Sequence, residues 1–319
     1  MILIFSQLNR EASTDAVIEW LRFFKHPYKR INTENVLYSD FTISITEESS
    51  NNIFGENINS IWFRRWATPY LEIDRNTIET KESYFAVVNF LLAEYWSSCN
   101  PFFNSLSKAN WLSHPSNASM DKISVLQLAR KNGILTPNSI LTNNKKDLIT
   151  FIKEQGTVVT KALTESLILD DDENMYCMYT SEIDDLELIP DNFPFSLFQQ
   201  KISKEFEIRS FYLDGEFYSM AIFSQSNKKT EIDFRKYDFN KPNRTIPFQL
   251  PIEIQHKLKN LMQELNLNTG SIDLIYSSKK EFVFLEVNPV GQFGMTSYPC
   301  NYQIEKKVAE YLIKNDTIK

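Results

Sequence analysis

The chain has 319 residues, of which 42% are hydrophobic and 24% are charged, and it contains only 7 glycines. This length allows two or three lobes with separate apolar cores, and the composition excludes collagen-like, low-complexity and wholly disordered chains. The formal net charge of -7 and the lack of clustered Lys and Arg argue against a nucleic-acid-binding protein, but they are compatible with a basic peptide or a magnesium nucleotide.

The first part of the chain alternates strand-like and helix-like patterns. Ile2 to Phe5 is predicted to be a buried strand, and this apolar run is too short for a signal peptide or a membrane span. Apolar residues recur at helical spacing from Ala16 to Phe24. A second strand is predicted over Ile61 to Phe63, and a long helix over Thr77 to Ser98. Together these elements predict a small open α/β domain that ends near residue 118.

The following region begins with a connection rich in Asn, Ser and Pro, from Asn100 to Ser119. Helical spacing resumes over Asp121 to Lys131, and Gly133 stops that helix. Val158 to Leu163 and Met175 to Tyr179 are predicted to be paired strands that flank the acidic turn DDDEN. We expect the tip of this hairpin to be solvated, because its charge would repel phosphates.

The last third of the chain is rich in predicted strands. Phe206 to Leu213 and Phe217 to Phe223 are joined at Asp214-Gly215, which is a strong hairpin signal. No internal repeat is visible. The remaining predicted elements are a helix over Glu253 to Leu265, strands over Ser271 to Tyr276 and Glu281 to Val287, and a closing helix over Ile304 to Ile313.

The cysteines and histidines are scattered along the chain. Cys99, Cys177 and Cys300 show no CxxC spacing, so neither a disulfide framework nor a thiolate zinc site is expected, and a cytoplasmic location is the default. The histidines show no HExxH pattern, and we expect them to be surface or structural residues. They are His26, His114 and His256.

Three oxygen donors lie on two predicted strands near the C-terminus. Asp273 occurs in SIDLIY, and Glu286 and Asn288 occur in FLEVNP. If the strands pair antiparallel, these side chains can converge, since residues two apart share a face. Such donors suit Mg²⁺, which keeps water and phosphate oxygens as its other ligands. The alternative is that Asp273 caps a turn and Glu286 is solvated, although an unpaired carboxylate in an apolar run is costly.

Two lysines are candidates for binding the phosphates of a nucleotide. Lys122 lies near the start of a predicted helix, and Lys161 lies inside the apolar strand VVTKAL. A lysine in mid-strand either points to solvent or meets an anion, and phosphates would supply one. For Lys161 alone, a solvated strand face is an equally open interpretation.

Two arginines occur at alternate positions from carboxylates on predicted strands. Arg209 follows Glu207 in KEFEIRSFYLDG, and Arg235 follows Asp233 in TEIDFRKYD. Each arginine could form an ordinary ion pair, which contributes little if it is exposed. Alternatively, Arg209 and Arg235 neutralise a transferring phosphoryl group and the acyl phosphate that it forms.

These residues, in this order, resemble the pattern of the ATP-grasp superfamily. Within it, the chain is most similar to the peptide-maturing ligases of graspetide, or microviridin-type, pathways, and the block from Gly270 to Tyr302 is similar to maturases of the grasp-with-spasm type. The resemblance covers nearly the whole chain. It is strongest over Asp121 to Gly133 and Phe198 to Tyr302.

The resemblance implies an α/β (α+β) ATP-grasp fold, with an N-terminal pre-ATP-grasp α/β domain and two lobes that enclose the nucleotide. Residues 1–118 would form the first domain, 119–196 the central lobe and 197–319 the C-terminal lobe with the metal site. By the same resemblance, Lys122 and Lys161 contact the phosphates of ATP, and Arg235, with Arg209, faces the phosphoryl group and the carboxylate. The magnesium ligands would be Asp273, Glu286 and Asn288, and the adenine hinge would be Phe198, Gln199, Gln200, Lys201 and Ile202.

The implied reaction is phosphoryl transfer from ATP to an Asp or Glu side chain of a ribosomal precursor peptide with leader and core segments. Attack by Ser, Thr or Lys of that peptide would then form an ester or amide macrocycle. No nucleic-acid or membrane partner is implied, and a homo-oligomer is compatible with the sequence. Two alternatives stay open: a ligase that adds amino acids to a protein terminus or a small molecule, and an inactive nucleotide-binding protein.

The sequence departs from the family pattern at two places. Many ATP-grasp enzymes have a glycine-rich loop after the lysine equivalent to Lys161, whereas ALTESLILDDDEN contains no glycine. A backbone nest for phosphate is therefore not predicted at this point. Gln200 stands where relatives often have an acidic residue, and neighbouring backbone groups would then contribute to nucleotide selection.

Overall fold

The computed structural model describes residues 1–9, 11–36, 57–69, 71, 73–74, 78, 80–164, 168–170, 175–236 and 238–317. The chain divides into two compact units, and the first of them is built from both ends of the sequence. One unit comprises Met1–Ala118 with Gln303–Lys319, and the other comprises Ser119–Tyr302. No helix in the described ranges combines the length and the apolar character needed to cross a membrane.

The first unit contains a four-stranded parallel sheet in the order β2-β1-β3-β4. Its strands are β1 (Ile2–Ser6), β2 (Tyr28–Asn32), β3 (Ser60–Phe63) and β4 (Asn110–Leu112). Its helices are α1 (Ala12–Phe23), α2 (Thr33–Val36), α3 (Lys81–Asn104) and a C-terminal helix (Ile304–Thr317). Leu3 and Phe5 of β1 are fully buried and pack with Phe102 and Phe103 of α3. The predicted α/β pattern of this region is confirmed.

Helix α3 is shifted relative to its predicted range, Thr77 to Ser98. The side chain of Thr80 accepts a hydrogen bond of 3.1 Å from the backbone N–H of Ser83, and this cap fixes the start. The helix runs on through Pro101 to Asn104, because Phe102 and Phe103 gain burial against the sheet. The predicted end was therefore too early.

The C-terminal helix packs on α1 and β3, whereas the sequence analysis placed it with the C-terminal lobe. Its Asp316 carboxylate is almost fully buried and accepts hydrogen bonds from His26 Nε2 at 2.7 Å and from Asn59 Nδ2 at 3.1 Å. These polar contacts hold the helix in the first unit. The division of the remaining chain into central and C-terminal lobes stays a prediction.

The second unit contains a small antiparallel sheet in the order β5-β10-β6-β9. The strands are β5 (Ser139–Asn144), β6 (Val158–Lys161), β9 (Ser181–Glu182) and β10 (Asn192–Gln200). Helix α5 (Lys145–Gln155) covers one face, where Leu148 and Phe151 pack with Val158 and Phe198. The other face carries Lys161 and Gln199.

The predicted pairing of Val158 to Leu163 with Met175 to Tyr179 is wrong. Strand β6 pairs with β10 and β9, while β7 (Ile168–Asp170) and β8 (Met175–Cys177) form a separate hairpin. Val158 of β6 buries its side chain against α5 and Phe198 of the long strand β10, a contact that the short β8 could not offer. Most of the acidic turn, residues 171–174, lies outside the described residues.

A second sheet has five antiparallel strands in the order β13-β12-β11-β14-β15. The strands are β11 (Lys204–Leu213), β12 (Glu216–Phe223), β13 (Arg244–Phe248), β14 (Thr269–Ser277) and β15 (Phe282–Asn288). The helices of this region are α4 (Lys122–Lys131), α6 (Ile252–Glu264) and α7 (Gly294–Cys300). Helices α4 and α6 pack on the sheet through a shared apolar core. The predicted hairpin is confirmed, with positive φ at Asp214 (46°) and Gly215 (101°).

Candidate functional site

Strands β14 and β15 bring the predicted oxygen donors to one face of the sheet. They pair antiparallel, as predicted, and Asp273 lies directly opposite Glu286. Asn288 follows two residues later on β15, so it shares the face of Glu286, and it lies opposite Ser271. The side-chain amide of Asn288 has no hydrogen-bond partner among the described residues. Two carboxylates and one amide are thus available within a short stretch of sheet.

Glu286 lies between the two predicted lysines. Its Oε2 atom is 3.3 Å from Lys161 Nζ and 3.5 Å from Lys122 Nζ. Lys122, the first residue of α4, also donates to the carbonyl oxygens of Ala162 at 2.9 Å and Thr164 at 3.0 Å. The side chain of Lys161 is only 11% exposed. It therefore does not lie on a solvated strand face, which was the alternative interpretation.

The charges around Glu286 control its ionisation. Burial alone would raise its pKa, but the positive charges of Lys161 and Lys122 outweigh burial and lower the pKa of Glu286 to about 2. Burial lowers the pKa of Lys122, and the like charge of Lys161 adds to this, although Glu286 opposes both. The result is a carboxylate that is ionised at neutral pH beside two cations.

This lowered pKa predicts a pH-dependent contribution of Glu286 to stability. The carboxyl titrates at 4.5 when unperturbed and at about 2 in the folded protein, so the unfolded state binds more protons between these values. The stabilisation is fully present above pH 4.5 and is lost as the pH falls towards about 2. We expect the difference in free energy of unfolding between wild type and Glu286→Gln to shrink over this range, as measured by urea unfolding. An unchanged difference at low pH would contradict the ion pairs.

Arg209 pairs with Asp273 rather than with Glu207. Its Nη1 atom donates to both carboxylate oxygens of Asp273, at 2.9 and 2.8 Å, because the two residues are direct partners on β11 and β14. Glu207 instead accepts from Lys204 Nζ at 2.5 Å and from Ser224 Oγ at 2.9 Å. Adjacent strands bring side chains closer together than residues two apart on one strand, which explains the difference.

Burial raises the pKa of both carboxyls in this region, Asp273 and Glu207. For Asp273 the ion pair with Arg209 offsets part of the effect, and for Glu207 the charge of Lys204 does so. The Nε atom of Arg209 is buried and has no hydrogen-bond partner in the described part of the chain. Arg209 therefore retains one buried donor that is not satisfied by the described residues.

Arg235 is held by Asp233 in a two-pronged ion pair. Its Nε and Nη2 atoms donate to the carboxylate at 2.9 and 2.6 Å. Asp233 also accepts from the backbone N–H of Thr180 at 3.0 Å, and its side chain is 4% exposed. The side chain of Arg235 is 41% exposed, so this arginine is oriented by a buried partner and still accessible.

A pocket of about 850 Å³, counting its open mouth, joins most of these groups. Lys161, Arg235, Asp273 and Glu286 line it, and so does the predicted hinge from Gln199 to Ile202. Four predicted residues do not line it, namely Lys122, Phe198, Arg209 and Asn288. Lys122 contacts the lining residue Glu286, and Arg209 contacts the lining residue Asp273. Asn288 lies two residues after Glu286 on the same strand, and Phe198 packs in the core beneath α5.

The hinge is fixed by hydrogen bonds that leave one backbone donor. The N–H groups of Gln200 and Lys201 donate to the carbonyl oxygens of Asn138 at 2.8 Å and Thr157 at 2.9 Å. Ile202, which follows the end of β10, has no partner for its N–H among the described residues. The hinge can therefore offer this N–H to a ligand in the pocket.

Sequence reasoning missed the apolar walls of the pocket and three of its polar groups, Thr180, Lys204 and Glu231. The apolar residues carry no signal that distinguishes them from core residues, because they occur on ordinary strands and in the loops that join strands. They are Pro137, Val159, Ile208, Ile232, Phe234, Leu274, Ile275 and Leu285. A flat apolar slot that ends in charged groups suits a molecule with a planar ring and an anionic chain.

The loop after Asn288 passes very close to β14. A Cβ atom on Gly291 would overlap the backbone nitrogen and the Cβ atom of Ser271. We expect Gly291→Ala to destabilise the protein by about 2–3 kcal/mol, because backbone atoms cannot move aside cheaply. Chemical unfolding measures this, with Gly294→Ala as the control, since the nearest atom there belongs to the flexible ring of Tyr298. Equal stability of the two variants would contradict the close approach.

No three His, Cys, Asp or Glu side chains come together as a metal cage within the described ranges. Asp273, Glu286 and Asn288 instead offer hard oxygens from only three side chains. This donor set fits Mg²⁺ that keeps most of its coordination for water and phosphate.

Most of the second unit and the C-terminal helix match a known protein family. A family described as the RimK-like ATP-grasp domain matches residues 119–312, which is more than half of the chain. The chain belongs to the RimK-like ATP-grasp family. It is an ATP-grasp ligase, and the predicted ATP-grasp fold is confirmed. No curated protein sequence matches this RimK-like ligase.

Three solved structures show the same fold over almost their whole length. An ATP-grasp ligase associated with a RiPP in Chryseobacterium gregarium, in complex with ADP and a leader and core peptide, is 24% identical, with a TM-score of 0.83 and coverage of 99% of this chain and 98% of that one. The macrocyclase MdnC of Microcystis aeruginosa, bound with precursor peptide MdnA, is 23% identical, with a TM-score of 0.79 and coverage of 98% and 100%. The macrocyclase MdnB of the same organism is 25% identical, with a TM-score of 0.77 and coverage of 98% of both chains.

Proposed function

We propose that this RimK-like ligase is a peptide macrocyclase, which phosphorylates Asp or Glu side chains of a ribosomal precursor peptide and closes ester or amide rings. The observation that carries the proposal is the position of Glu286, held ionised by Lys161 and Lys122 opposite Asp273, in a pocket whose rim carries Arg235. The macrocyclase and RiPP-ligase structures that share the fold, two of them with bound precursor peptides, support a peptide as the substrate.

The pocket offers separate groups for the adenine ring and for the phosphates of ATP. The adenine ring fits between the apolar walls, where the N–H of Ile202 donates to a ring nitrogen and backbone carbonyls of the hinge accept from its amino group. The phosphates extend towards Lys161 and Lys122. Glu286 competes with these phosphates for the two lysines. The lysine nitrogens are 3.5 and 3.3 Å from its carboxylate, which is longer than a tight charged hydrogen bond.

The metal ligands are Glu286, Asp273 and Asn288, and their oxygens fit magnesium. A bound Mg²⁺ supplies charge neutralisation for the terminal phosphates of ATP. Glu286 offers a carboxylate that stays ionised at neutral pH, and Asn288 offers a free amide oxygen. Arg209 fixes the position of the Asp273 carboxylate through its contact with both carboxylate oxygens.

Arg235 recognises the carboxylate that is to be activated. A carboxylate oxygen of the peptide attacks the γ-phosphorus of ATP, the bond to the β-γ bridging oxygen breaks, and ADP leaves. A hydroxyl or amine of the same peptide then attacks the acyl carbon and expels phosphate, with loss of its proton to solvent. Arg235 stabilises the negative charge on the acyl phosphate, while Asp233 holds its guanidinium in place.

Two alternatives are an inactive nucleotide-binding protein and a ligase that adds free amino acids. The first would form no product, and the second would use a different acceptor substrate. An inactive nucleotide-binding protein has no need for an accessible arginine beside ionised carboxylates, and this argues for an enzyme. A ligase that adds free amino acids would use the same site with a small acceptor. The solved structures with leader and core peptides favour the peptide, because their fold extends over 98% or more of this chain.

Mass spectrometry of a precursor peptide tests the proposal. A short open reading frame beside the gene with repeated Thr and Glu or Asp would supply the candidate peptide, and each ring would lower its mass by one water. We expect this loss only with ATP and Mg²⁺, together with one ADP per ring. Formation of AMP and pyrophosphate would exclude attack at the γ-phosphate. ADP formation with free amino acids, and none with the peptide, would favour the amino-acid ligase instead.

A further inference from the structure

The parallel sheet of the first unit has a topological switch point between β1 and β3. From β1 the chain crosses to β2 on one side of β1, and after β2 it crosses back to β3 on the other side. In open parallel sheets, ligands bind at such a switch point, outside the carboxyl ends of the two strands. The residues that follow β1 and β3 are therefore the first place to look for a binding site in this unit.

Two arginines and one glutamate meet at this switch point. Arg64 and Arg65 directly follow β3, and Glu11 lies after β1, immediately before α1. Arg64 Nε lies 3.1 Å from Glu11 Oε1, and Arg65 Nε lies 3.3 Å from Glu11 Oε2. The side chains of Glu11 and Arg64 are 1% and 2% exposed, whereas that of Arg65 is 34% exposed. Arg65 is thus the member of this cluster that a ligand can reach.

The backbone that carries Arg65 is fixed by hydrogen bonds. The N–H groups of Arg64 and Arg65 donate to the carbonyl oxygen of Phe5 at 2.9 and 3.3 Å, and the N–H of Ala67 donates to Thr33 Oγ1 at 2.8 Å. These bonds tie the segment after β3 to β1 and to α2. The guanidinium of Arg65 is therefore presented from a preorganised segment, which lowers the entropy cost of binding a ligand.

The charges of the cluster do not balance. One carboxylate faces two guanidinium groups, so one positive charge is left over within the cluster. Both oxygens of Glu11 and the Nε atom of Arg65 are buried without an aligned hydrogen bond in the described part of the chain. The Nη groups of Arg65 donate no hydrogen bond to a described residue. A guanidinium whose Nε atom faces one partner keeps a second edge of two parallel donors, and this edge fits a carboxylate.

We propose that Arg65 binds the carboxylate of an acidic residue of the peptide substrate, so that the switch point is a second recognition site for acidic side chains. The inference rests on the proposed function, because the precursor peptide supplies the Asp and Glu side chains. One excess positive charge matches the single charge of a carboxylate, whereas a phosphate monoester carries about 1.5 to 2 negative charges at neutral pH. The contacts of Glu11 also show that a carboxylate fits this pair of guanidinium groups.

A double-mutant cycle between enzyme and peptide tests this site. The probe is a fluorescein-labelled synthetic peptide of repeated Thr and Glu, and its matched version has Gln in place of every Glu. We expect Arg65→Gln to raise the dissociation constant for the acidic peptide about 10-fold, as measured by fluorescence anisotropy. The amide peptide should bind wild type and Arg65→Gln equally, because the partner of Arg65 is gone. Equal affinity of wild type for the two peptides, or wild-type affinity of Arg65→Gln for the acidic peptide, would overturn the proposal.

Two further variants separate binding from a structural role. Arg65→Lys keeps the charge beside Glu11 but loses the planar fork, so it should match wild type in urea unfolding and bind the acidic peptide with intermediate affinity. Arg22→Gln is the matched control, because Arg22 is an exposed arginine of the same unit that donates to Tyr28 Oη at 2.8 Å. Its affinity should equal that of wild type. An equal loss of affinity in Arg22→Gln and Arg65→Gln would show a general effect of charge and overturn the site.

Ring formation distinguishes a failure of this inference from a failure of the proposed function. With the full precursor peptide, we expect Arg65→Gln to raise the KM for the peptide and to leave the KM for ATP unchanged. If wild type closes rings and Arg65→Gln does so with an unchanged KM for the peptide, the site is excluded and the proposed function stands. If wild type closes no rings, the proposed function fails, and the anisotropy measurements still decide whether Arg65 binds a carboxylate.

Discussion

Glu286→Gln is expected to lower ADP formation on the order of 10³-fold, while the protein still folds and binds its peptide. Glutamine has almost the same size as glutamate but carries no charge. The terminal phosphates and the magnesium would lose a ligand that is ionised at neutral pH, and the charge on the transferred phosphoryl group would be less well neutralised. The measurement is paired: ADP release and ring formation for catalysis, and fluorescence anisotropy for peptide affinity.

Glu281→Gln is the matched control for this variant. Glu281 immediately precedes β15, is exposed, and lies outside the lining of the pocket. We expect its turnover to equal that of wild type. If Glu286→Gln also closed rings at a near-normal rate, the magnesium assignment of Asp273 and Asn288 would be lost with it, because Glu286 is the residue that connects them to the lysines.

Arg235→Lys is expected to lower turnover on the order of 10²-fold with little change in the affinity for ATP. Lysine keeps the positive charge but cannot hold Asp233 and a carboxylate at the same time with a planar fork. Arg235 is accessible at the rim of the pocket, whereas the adenine hinge lies elsewhere on its wall. Steady-state kinetics with the peptide and with ATP varied separately distinguish the two effects.

Two further variants help to interpret Arg235→Lys: Asp233→Asn tests the ion pair that orients Arg235, and Arg244→Lys is the matched control. Asp233→Asn leaves the guanidinium in place but removes the charge that orients it, so turnover should fall in the same direction and by a smaller factor. Arg244 is exposed on β13 and packs over the ring of Phe223, away from the pocket, so its replacement should have no effect. Wild-type turnover of Arg235→Lys would assign Arg235 to a structural ion pair.

The convergence of Asp273, Glu286 and Asn288 could be predicted because it depends on local chemistry. Two strands separated by a short turn pair with their neighbour, and the period of two then fixes which residues share a face. The partner of Arg209 could not be predicted. It depends on the register between β11 and β14, which are about 60 residues apart in sequence, and no local pattern encodes that register.

The hairpin of β7 and β8 shows a second limit of the sequence. Val158 to Leu163 and Met175 to Tyr179 both had the residue pattern of strands, but such a pattern does not determine which strand pairs with which. The partner of β6 is β10, an apolar strand that the sequence analysis did not assign beyond its hinge residues. The apolar walls of the pocket were missed for a similar reason, since Val159 and Ile275 resemble core residues until the empty space beside them is known.

The discontinuous first unit has a consequence for synthesis on the ribosome. Its C-terminal helix, which packs on α1, is translated only after all of Ser119–Tyr302. At about 5–20 residues per second, α1 waits roughly 15–60 s for this helix. The second unit is contiguous in the chain, so it can complete its core during that interval, before the unit that precedes it does. A released chain that ends at Tyr302 should therefore resist protease in the second unit while the first unit, which lacks its C-terminal helix, is cleaved.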